Sequence, residues 1–225
     1  MATPVLIIGR SGTGKSTSLR NCVGNDNWNL IRVLDKPLPF KGKINGWYSD
    51  DYQQIMKLLI ASKAKNIVID DAGYLITNMF MNKHSSAGGG NGVFTLYNQI
   101  GDHFWNLLQF ISTKVPADKI VYMIMHEESN ELGEIKPKTI GKLLDEKVCV
   151  EGMFTIVLRC IAESNKHLFV TQKYVVSAKA VDGNQLYKSL CTIRDRYNVR
   201  FEFCEKKDTG KEIMRILSGG GGDPR

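Results

Sequence analysis

The segment that most restricts the fold of this chain passes from an apolar stretch directly into glycines. Val5–Ile8 is wholly apolar, which is typical of a strand buried on both faces, and Gly9–Ser16 follows with the sequence GRSGTGKS. This octapeptide fits the pattern G-x-x-x-x-G-K-[ST]. A helix is predicted over Lys15–Cys22, so the sequence predicts a strand, a phosphate-binding loop and a helix in succession.

The residue types in this loop suit the binding of a polyphosphate. Glycines let backbone N–H groups turn toward an anion without a Cβ in the way, and the start of a helix adds a positive dipole. Lys15 can reach the β- and γ-phosphates, and the Ser16 hydroxyl can bind Mg²⁺. The pattern predicts a nucleoside triphosphate site formed by Gly9, Arg10, Ser11, Gly12, Thr13, Gly14, Lys15, Ser16 and Thr17.

Apolar runs and helical spacings alternate along most of the chain. The further predicted strands are Leu30–Leu34, Asn66–Asp71, Ile120–His126, Met153–Cys160 and Leu168–Tyr174, and the further predicted helices are Tyr52–Ser62 and Phe94–Ser112. This alternation indicates an α/β fold with a mainly parallel central sheet covered on both faces. The polar stretches Asn82–Gly92 and Glu127–Thr139 are predicted to be irregular loops.

Acidic residues at predicted strand ends supply the remaining chemistry of a triphosphate site. Asp70 closes an apolar run, so its carboxylate is expected to bind Mg²⁺ directly or through water. Three residues are alternatives for orienting an attacking water: Asp71, Asp35 and Glu127. His126 ends the predicted fourth strand and is a candidate sensor of the γ-phosphate.

Composition narrows the class of protein. The chain has 225 residues and a formal net charge of +7, which fits one domain with a polyanionic partner. Its five cysteines form no CxxC pair, as expected of reduced cysteines in a cytoplasmic protein. No apolar run approaches the length of a membrane span, and no signal peptide is visible, so no membrane partner is expected.

The phosphate loop, the strand ending in Asp70–Asp71 and the strand IVYMIMHEES, in that order, resemble the RecA-like ATPases of bacteriophages. The likeness is greatest to small phage recombination ATPases linked to single-strand annealing, and it covers Val5 to Lys179. It implies a three-layer P-loop NTPase fold over residues 1–180. A C-terminal extension packed on or near this core is predicted over 181–217, and the glycine-rich end predicts a flexible tail over 218–225. It further implies ATP and Mg²⁺ as cofactors and ATP hydrolysis by a homo-oligomer on single-stranded DNA. The setting would be recombination or replication in the host cytoplasm, with a phage single-strand-binding or replication protein as a further partner.

The resemblance also assigns roles to individual positions. Lys15 matches the phosphate-binding lysine, and Ser16 and Asp70 match the metal-binding positions. The water-polarising glutamate of RecA-like proteins would fall near the end of the second strand, where this chain has Asp35 instead. Lys173 and Lys179 fall where such assemblies present a cation to the ATP of a neighbouring subunit, and Lys179 is the candidate with a catalytic role.

DNA-binding segments are implied at the two predicted loops after the third and fourth strands. The first offers Lys83 and His84, which suit a segment that becomes ordered on DNA. The second offers Lys136 and Lys138, but four glutamates precede them, and both loops lack aromatic residues for base stacking.

Two other functions are compatible with the same residues. A small-molecule kinase needs arginines in a lid that bind the phosphates. The chain has no arginine between Arg32 and Arg159, which counts against a kinase. A nucleotide-gated assembly switch, or a module similar to a helicase loader, needs little turnover. It agrees with a sequence in which no single carboxylate stands out as the water-activating residue.

Overall fold

A central sheet organises the part of the chain that the computed structural model describes, namely residues 1–88, 90–129, 135–141, 143–163, 166–170 and 200–202. The strands are β1 (Thr3–Gly9), β2 (Trp28–Arg32), β3 (Gly46–Tyr48), β4 (Asn66–Asp70), β5 (Ile120–Ser129), β6 (Ile135–Pro137), β7 (Ile156–Glu163), β8 (Lys166–Val170) and β9 (Arg200–Glu202). Lys173, Lys179, the tail at 218–225 and all of the predicted extension except 200–202 lie outside the described residues.

The order of the strands confirms a mainly parallel α/β sheet. The order is β3-β2-β4-β5-β1-β7-β8-β9, with β6 paired to β5. All neighbours from β3 to β7 in this order are parallel, whereas the β5–β6, β7–β8 and β8–β9 pairs are antiparallel. From β1 the chain fills one side of the sheet with β2 to β5 before it crosses to β7 on the other side.

Both faces of the sheet are buried at its central strands β1, β4 and β5, which explains why these strands contain continuous apolar runs. In β1, Leu6 and Ile8 face one cluster, and Val5 and Ile7 face the other. The first cluster contains the buried side chains of three α-helices: α1 (Tyr52–Ala61), α2 (Gly73–Lys83) and α3 (Asn91–Thr113). On the second face, Trp28 stacks on Tyr122 with 5.3 Å between the ring centroids.

The helices begin where local chemistry supports them. Asp51 precedes α1, and its side chain accepts a hydrogen bond from Gln54 N at 2.7 Å, as an N-cap should. The helix predicted after the phosphate loop is a short 3-10 helix over Ser16–Cys22, whose hydrogen bonds have poorer geometry than those of an α-helix. No helix among the described residues is long and apolar enough to cross a lipid bilayer.

The second strand is displaced from its predicted position. It covers Trp28–Arg32 rather than Leu30–Leu34, and the prolines at 37 and 39 follow in a segment without regular structure. Asp35 therefore does not end a strand: its side chain is 71% exposed and lies 3.4 Å from Arg32 in an ion pair. Likewise the predicted strand from Met153 begins only at Ile156, because Glu151–Met153 is a 3-10 helix.

The two predicted loops are partly regular. Glu127–Ser129 continues β5 and pairs with β6, so the segment predicted as the loop Glu127–Thr139 contains an antiparallel strand pair. The helices α2 and α3 take the first residues and the last residues of Asn82–Gly92. Only three residues on each strand take part in the pairing of β5 with β6, which is too few for a periodic pattern, and this is why the sequence did not predict it.

Lys119 holds the end of α1 against the start of β5. Its buried ammonium donates hydrogen bonds to Leu59 O, Ile60 O and Ser62 O at 2.9, 3.2 and 2.6 Å. These carbonyls belong to a helix end and lack partners within the helix. Replacing Lys119 by methionine should lower the free energy of unfolding by about 2–3 kcal/mol, because buried acceptors lose their donor. Urea denaturation measures this, with exposed Lys63→Met as the matched control; equal stability of the two variants would contradict the prediction.

Candidate phosphate and metal site

The candidate site lies at the carboxyl ends of the parallel strands. Gly9 at the end of β1 is opposite His126 of β5, and Ile8 is opposite Arg159 of β7. Asp70 ends β4, which is the next strand beyond β5. The chain changes direction along the sheet at β1, and such a switch point is where open α/β sheets bind ligands.

The loop has the backbone conformation that its glycines allow. Gly12 and Gly14 have φ angles of 80° and 96°, in the left-handed region that side chains disfavour. A Cβ at Gly14 would lie 2.8 Å from His167 Nδ1. Thr13 O is 2.7 Å from the same nitrogen and accepts a hydrogen bond from Cys160 Sγ at 3.0 Å. The loop is thus fixed against β7 and β8.

Lys15 lies inside the loop. Its Nζ donates hydrogen bonds to Gly9 O at 2.7 Å and to Arg10 O at 2.8 Å, and the residue is buried. Burial lowers the pKa of Lys15, although the neighbouring acidic groups act in the opposite direction. The ammonium is thereby positioned on the inner side of the loop.

Ser16 and Asp70 meet although 54 positions separate them in the sequence. Ser16 Oγ donates to Asp70 Oδ1 at 3.0 Å, and Asp71 N donates to the same oxygen at 3.1 Å. Burial, and next the charge of Asp71, raise the pKa of Asp70 to about 6. A hydroxyl and a buried carboxylate side by side are hard oxygen ligands that suit Mg²⁺.

Asp71 has a backbone conformation that is uncommon for a residue with a side chain. Its φ is 58°, and the residue is buried. Its Oδ2 lies 2.5 Å from Lys36 Nζ. Burial lowers the pKa of Lys36, but the hydrogen bond and charge of Asp71 outweigh it and raise the pKa overall. One of the three carboxylates predicted as alternatives for orienting water is therefore already paired with a lysine.

Glu127 is paired as well. Its side chain is 2% exposed and accepts two hydrogen bonds of 2.7 Å, from Arg159 Nε and Nη2. Arg10 Nε lies 3.7 Å from the same carboxylate. Because β1 lies between β5 and β7, this pair spans the end of β1 where the phosphate loop begins. Bidentate pairing holds Glu127 in place and occupies both of its oxygens.

His126 lies beside the loop, as its predicted role requires. Burial lowers the pKa of His126, and the charge of Lys15 acts in the same direction. Its ring meets the ring of Tyr74 edge-on, with 6.2 Å between the centroids. A neutral imidazole is therefore favoured here. The prediction that His126 ends its strand is wrong, because β5 continues to Ser129 through its pairing with β6.

The residues predicted to bind DNA lie on two different elements. Lys83 is the last residue of α2, and the ring of His84 stacks on Phe80 at 5.2 Å. Lys136 lies in β6, where it forms an ion pair of 3.3 Å with Glu128, and Lys138 N donates to His126 O at 2.8 Å. Lys136 and Lys138 are thus next to the last part of β5, whereas Lys83 and His84 lie at the far end of the helix that begins after Asp70 and Asp71.

A cavity of about 270 Å³ adjoins the Ser16–Asp70 pair. It is lined by Ser16, Arg32, Leu34, Lys36, Pro37, Leu38, Pro39, Asp70 and Asp71. Sequence reasoning missed Arg32, Lys36 and Arg159 as site residues. The signal available for Arg32 and Arg159 was a cationic residue inside an otherwise apolar predicted strand.

The site thus brings together a glycine loop, a buried lysine and a hydroxyl–carboxylate pair. Within the described residues, no group of three or more histidine, cysteine, aspartate or glutamate side chains could hold a metal ion by itself. Magnesium at phosphate sites takes only one or two carboxylates, with phosphate and water completing its coordination.

Comparison with known proteins adds no relative, since no protein-family model matches the chain and no curated protein is significantly similar to it.

Proposed function

We propose that this protein binds ATP with Mg²⁺ at the loop Gly9–Thr17 and hydrolyses it. The observation that carries the proposal is the hydrogen bond of 3.0 Å between Ser16 Oγ and Asp70 Oδ1. It places the two expected magnesium ligands together next to a lysine-bearing loop with two left-handed glycines. A glycine-rich turn without a ligand would not need a buried carboxylate whose pKa is raised to about 6.

The residues present fit the proposed ligand. Loop N–H groups and Lys15 would hold the phosphates, while Ser16 and Asp70 would hold the metal. Bound Mg²⁺ neutralises charge on the phosphates and so favours attack on the terminal one. The adjoining cavity offers room for the attacking group beside Asp71.

The proposal extends to a RecA-like ATPase that binds single-stranded DNA as an ATP-dependent oligomer. Its support is the motif order of the sequence, the mainly parallel sheet and the net charge of +7. If ATP and DNA both favour the assembled state, each ligand must tighten the binding of the other.

A second candidate is a nucleotide-gated switch with little turnover. Two of the carboxylates proposed for water activation are held in close ion pairs, Asp71 with Lys36 and Glu127 with Arg159. The third, Asp35, is largely exposed and pairs with Arg32. A carboxylate engaged in an ion pair is a poor acceptor for the proton of water until that pair opens.

The test combines turnover with DNA binding. Phosphate release should be measured with and without an unstructured oligonucleotide, and anisotropy of the labelled oligonucleotide should be recorded with ATP, with ADP and without nucleotide. We expect the tightest binding with ATP, an affinity that falls as salt rises, and faster phosphate release when DNA is present. Sizing of the complex in the same three states checks the oligomer.

The outcomes separate the candidates. Tight ATP binding without phosphate release, with or without DNA, favours the switch. Transfer of phosphate to an added small acceptor, rather than to water, would identify a kinase. Absence of oligonucleotide binding at low salt in every nucleotide state would contradict the DNA-binding part of the proposal.

A further inference from the structure

A second cavity, of about 510 Å³, opens at the edge strand β3. It is lined by Leu30, Arg32, Pro37, Leu38, Phe40, Gly42, Lys43, Ile44, Gly46, Trp47 and Tyr48. Its volume is in the range of sites that bind small organic groups, and its lining combines apolar, aromatic and cationic residues. None of the residues predicted to bind DNA belongs to it.

The cavity is aromatic on the side of the edge strand. Tyr48 is 47% exposed, and it lies opposite Arg32 in the β2–β3 register, so the two side chains share a face of the sheet. Leu30, two residues before Arg32, lies on that face in contact with the second cluster, as does Phe40 from the segment after β2. A large, accessible ring beside a guanidinium is a surface on which planar groups stack.

The charge around the cavity favours an anionic ligand. Residues 32–48 contain one acidic residue, Asp35, and four basic residues: Arg32, Lys36, Lys41 and Lys43. Lys41 and Lys43 are exposed on the segment that forms one wall. A ligand with both a planar ring and a phosphate satisfies the aromatic lining and the charge together.

The cavity is next to the smaller cavity at the phosphate and metal site. Arg32, Pro37 and Leu38 line both this cavity and the smaller one beside Asp70 and Asp71. Close approach of β3 to β2 is permitted by Gly46, where a Cβ would lie 1.8 Å from Leu30 O. A strand of nucleic acid bound here would therefore contact the same segment that carries Lys36, the partner of Asp71.

We infer that the cavity at β3 binds single-stranded DNA by stacking a base on Tyr48 and contacting the adjacent phosphate through Lys43. The inference rests on the proposed function, and it adds a base-stacking site that the two predicted loops lack. Stacking on one ring accepts any base, so binding here should be independent of sequence.

Four single variants test the inference by oligonucleotide anisotropy at saturating ATP. Tyr48→Ala should weaken binding of a poly-dT oligonucleotide at least about fivefold, whereas Tyr48→Phe, which keeps the ring, should retain it. Lys43→Ala should weaken binding and lower the slope of log affinity against log salt by about one. Trp105→Ala removes an equally exposed ring (43%) on α3 and should leave binding unchanged.

The affinity for a fluorescent ATP analogue is measured on the same samples. It distinguishes a result that overturns only this inference from one that also overturns the proposed function. Wild-type DNA affinity in both Tyr48→Ala and Lys43→Ala overturns the inference and leaves the proposed function standing. Loss of ATP affinity in Tyr48→Ala with DNA affinity retained also overturns it, because the cavity would then hold the base of ATP. No DNA binding by the wild-type protein overturns both the inference and the DNA-binding part of the proposed function.

Discussion

Lys15→Ala is expected to lower the affinity for Mg-ATP at least about 100-fold while the chain remains folded. The ammonium is held inside the loop by Gly9 O and Arg10 O, so it is positioned to contact phosphate rather than to fill the apolar core. Loss of a charge-assisted contact to two phosphates accounts for an effect of this size. Titration calorimetry measures the affinity, and circular dichroism checks the fold.

The matched control is Lys63→Ala, which removes an exposed lysine remote from the loop in sequence. It should leave the affinity for ATP unchanged. A folded Lys15→Ala protein that binds Mg-ATP as tightly as the wild type would refute the proposed phosphate site.

Asp70→Asn is expected to reduce Mg²⁺-dependent turnover at least about 100-fold and yet to stabilise the fold above pH 6. The first effect follows because the amide is neutral and is a poor ligand for magnesium. The second follows from the pKa of Asp70, which folding raises from 3.8 to about 6. Ionisation of this buried carboxyl therefore costs stability, by about 1–3 kcal/mol once the pH is well above 6.

The difference in stability between the Asp70→Asn variant and the wild type should increase with pH. The stabilising influence of the protonated Asp70 is complete below pH 3.8 and is lost as the pH rises through about 6. Asparagine remains neutral at every pH and can still accept the hydrogen bonds from Ser16 and Asp71 N. Urea denaturation without Mg²⁺ should show a more stable variant at pH 8 and a difference that shrinks toward pH 4. A variant less stable than the wild type at pH 8 would refute this account.

The parts of the site that depend on sequence neighbours could be predicted, whereas those that depend on strand order could not. A parallel strand buried on both faces is a continuous apolar run, so β1 and β4 and the residues at their ends could be recognised. The proximity of Ser16 and Asp70 was predicted from their shared chemistry. Arg159 could not be assigned to Glu127, because their pairing requires that β5 and β7 flank β1.

Most of the remaining differences between the predicted and the observed elements involve short or polar segments. The strand β3 has three residues, which are too few for a periodic pattern. The sequence therefore did not show that its aromatic side chains belong to a strand. The antiparallel pairing of β5 and β6 involves three residues on each strand and mixes charged with apolar residues, so it also shows no periodic pattern. Asp35 was placed at a strand end because the apolar run of β2 continues to Leu34, but the regular pairing ends at Arg32.

The ion pairs around the site neutralise some of its carboxylates and leave one, among the described residues, without a direct cationic partner. Three buried carboxylates lie near the phosphate loop, and two of them already have a cation, Lys36 for Asp71 and Arg159 for Glu127. Among the described residues, Asp70 receives hydrogen bonds from Ser16 and Asp71 N but forms no ion pair. Of these three carboxylates, the one without an ion pair among the described residues thus lies beside the hydroxyl of Ser16, where a divalent cation shared with phosphate would give it a direct partner.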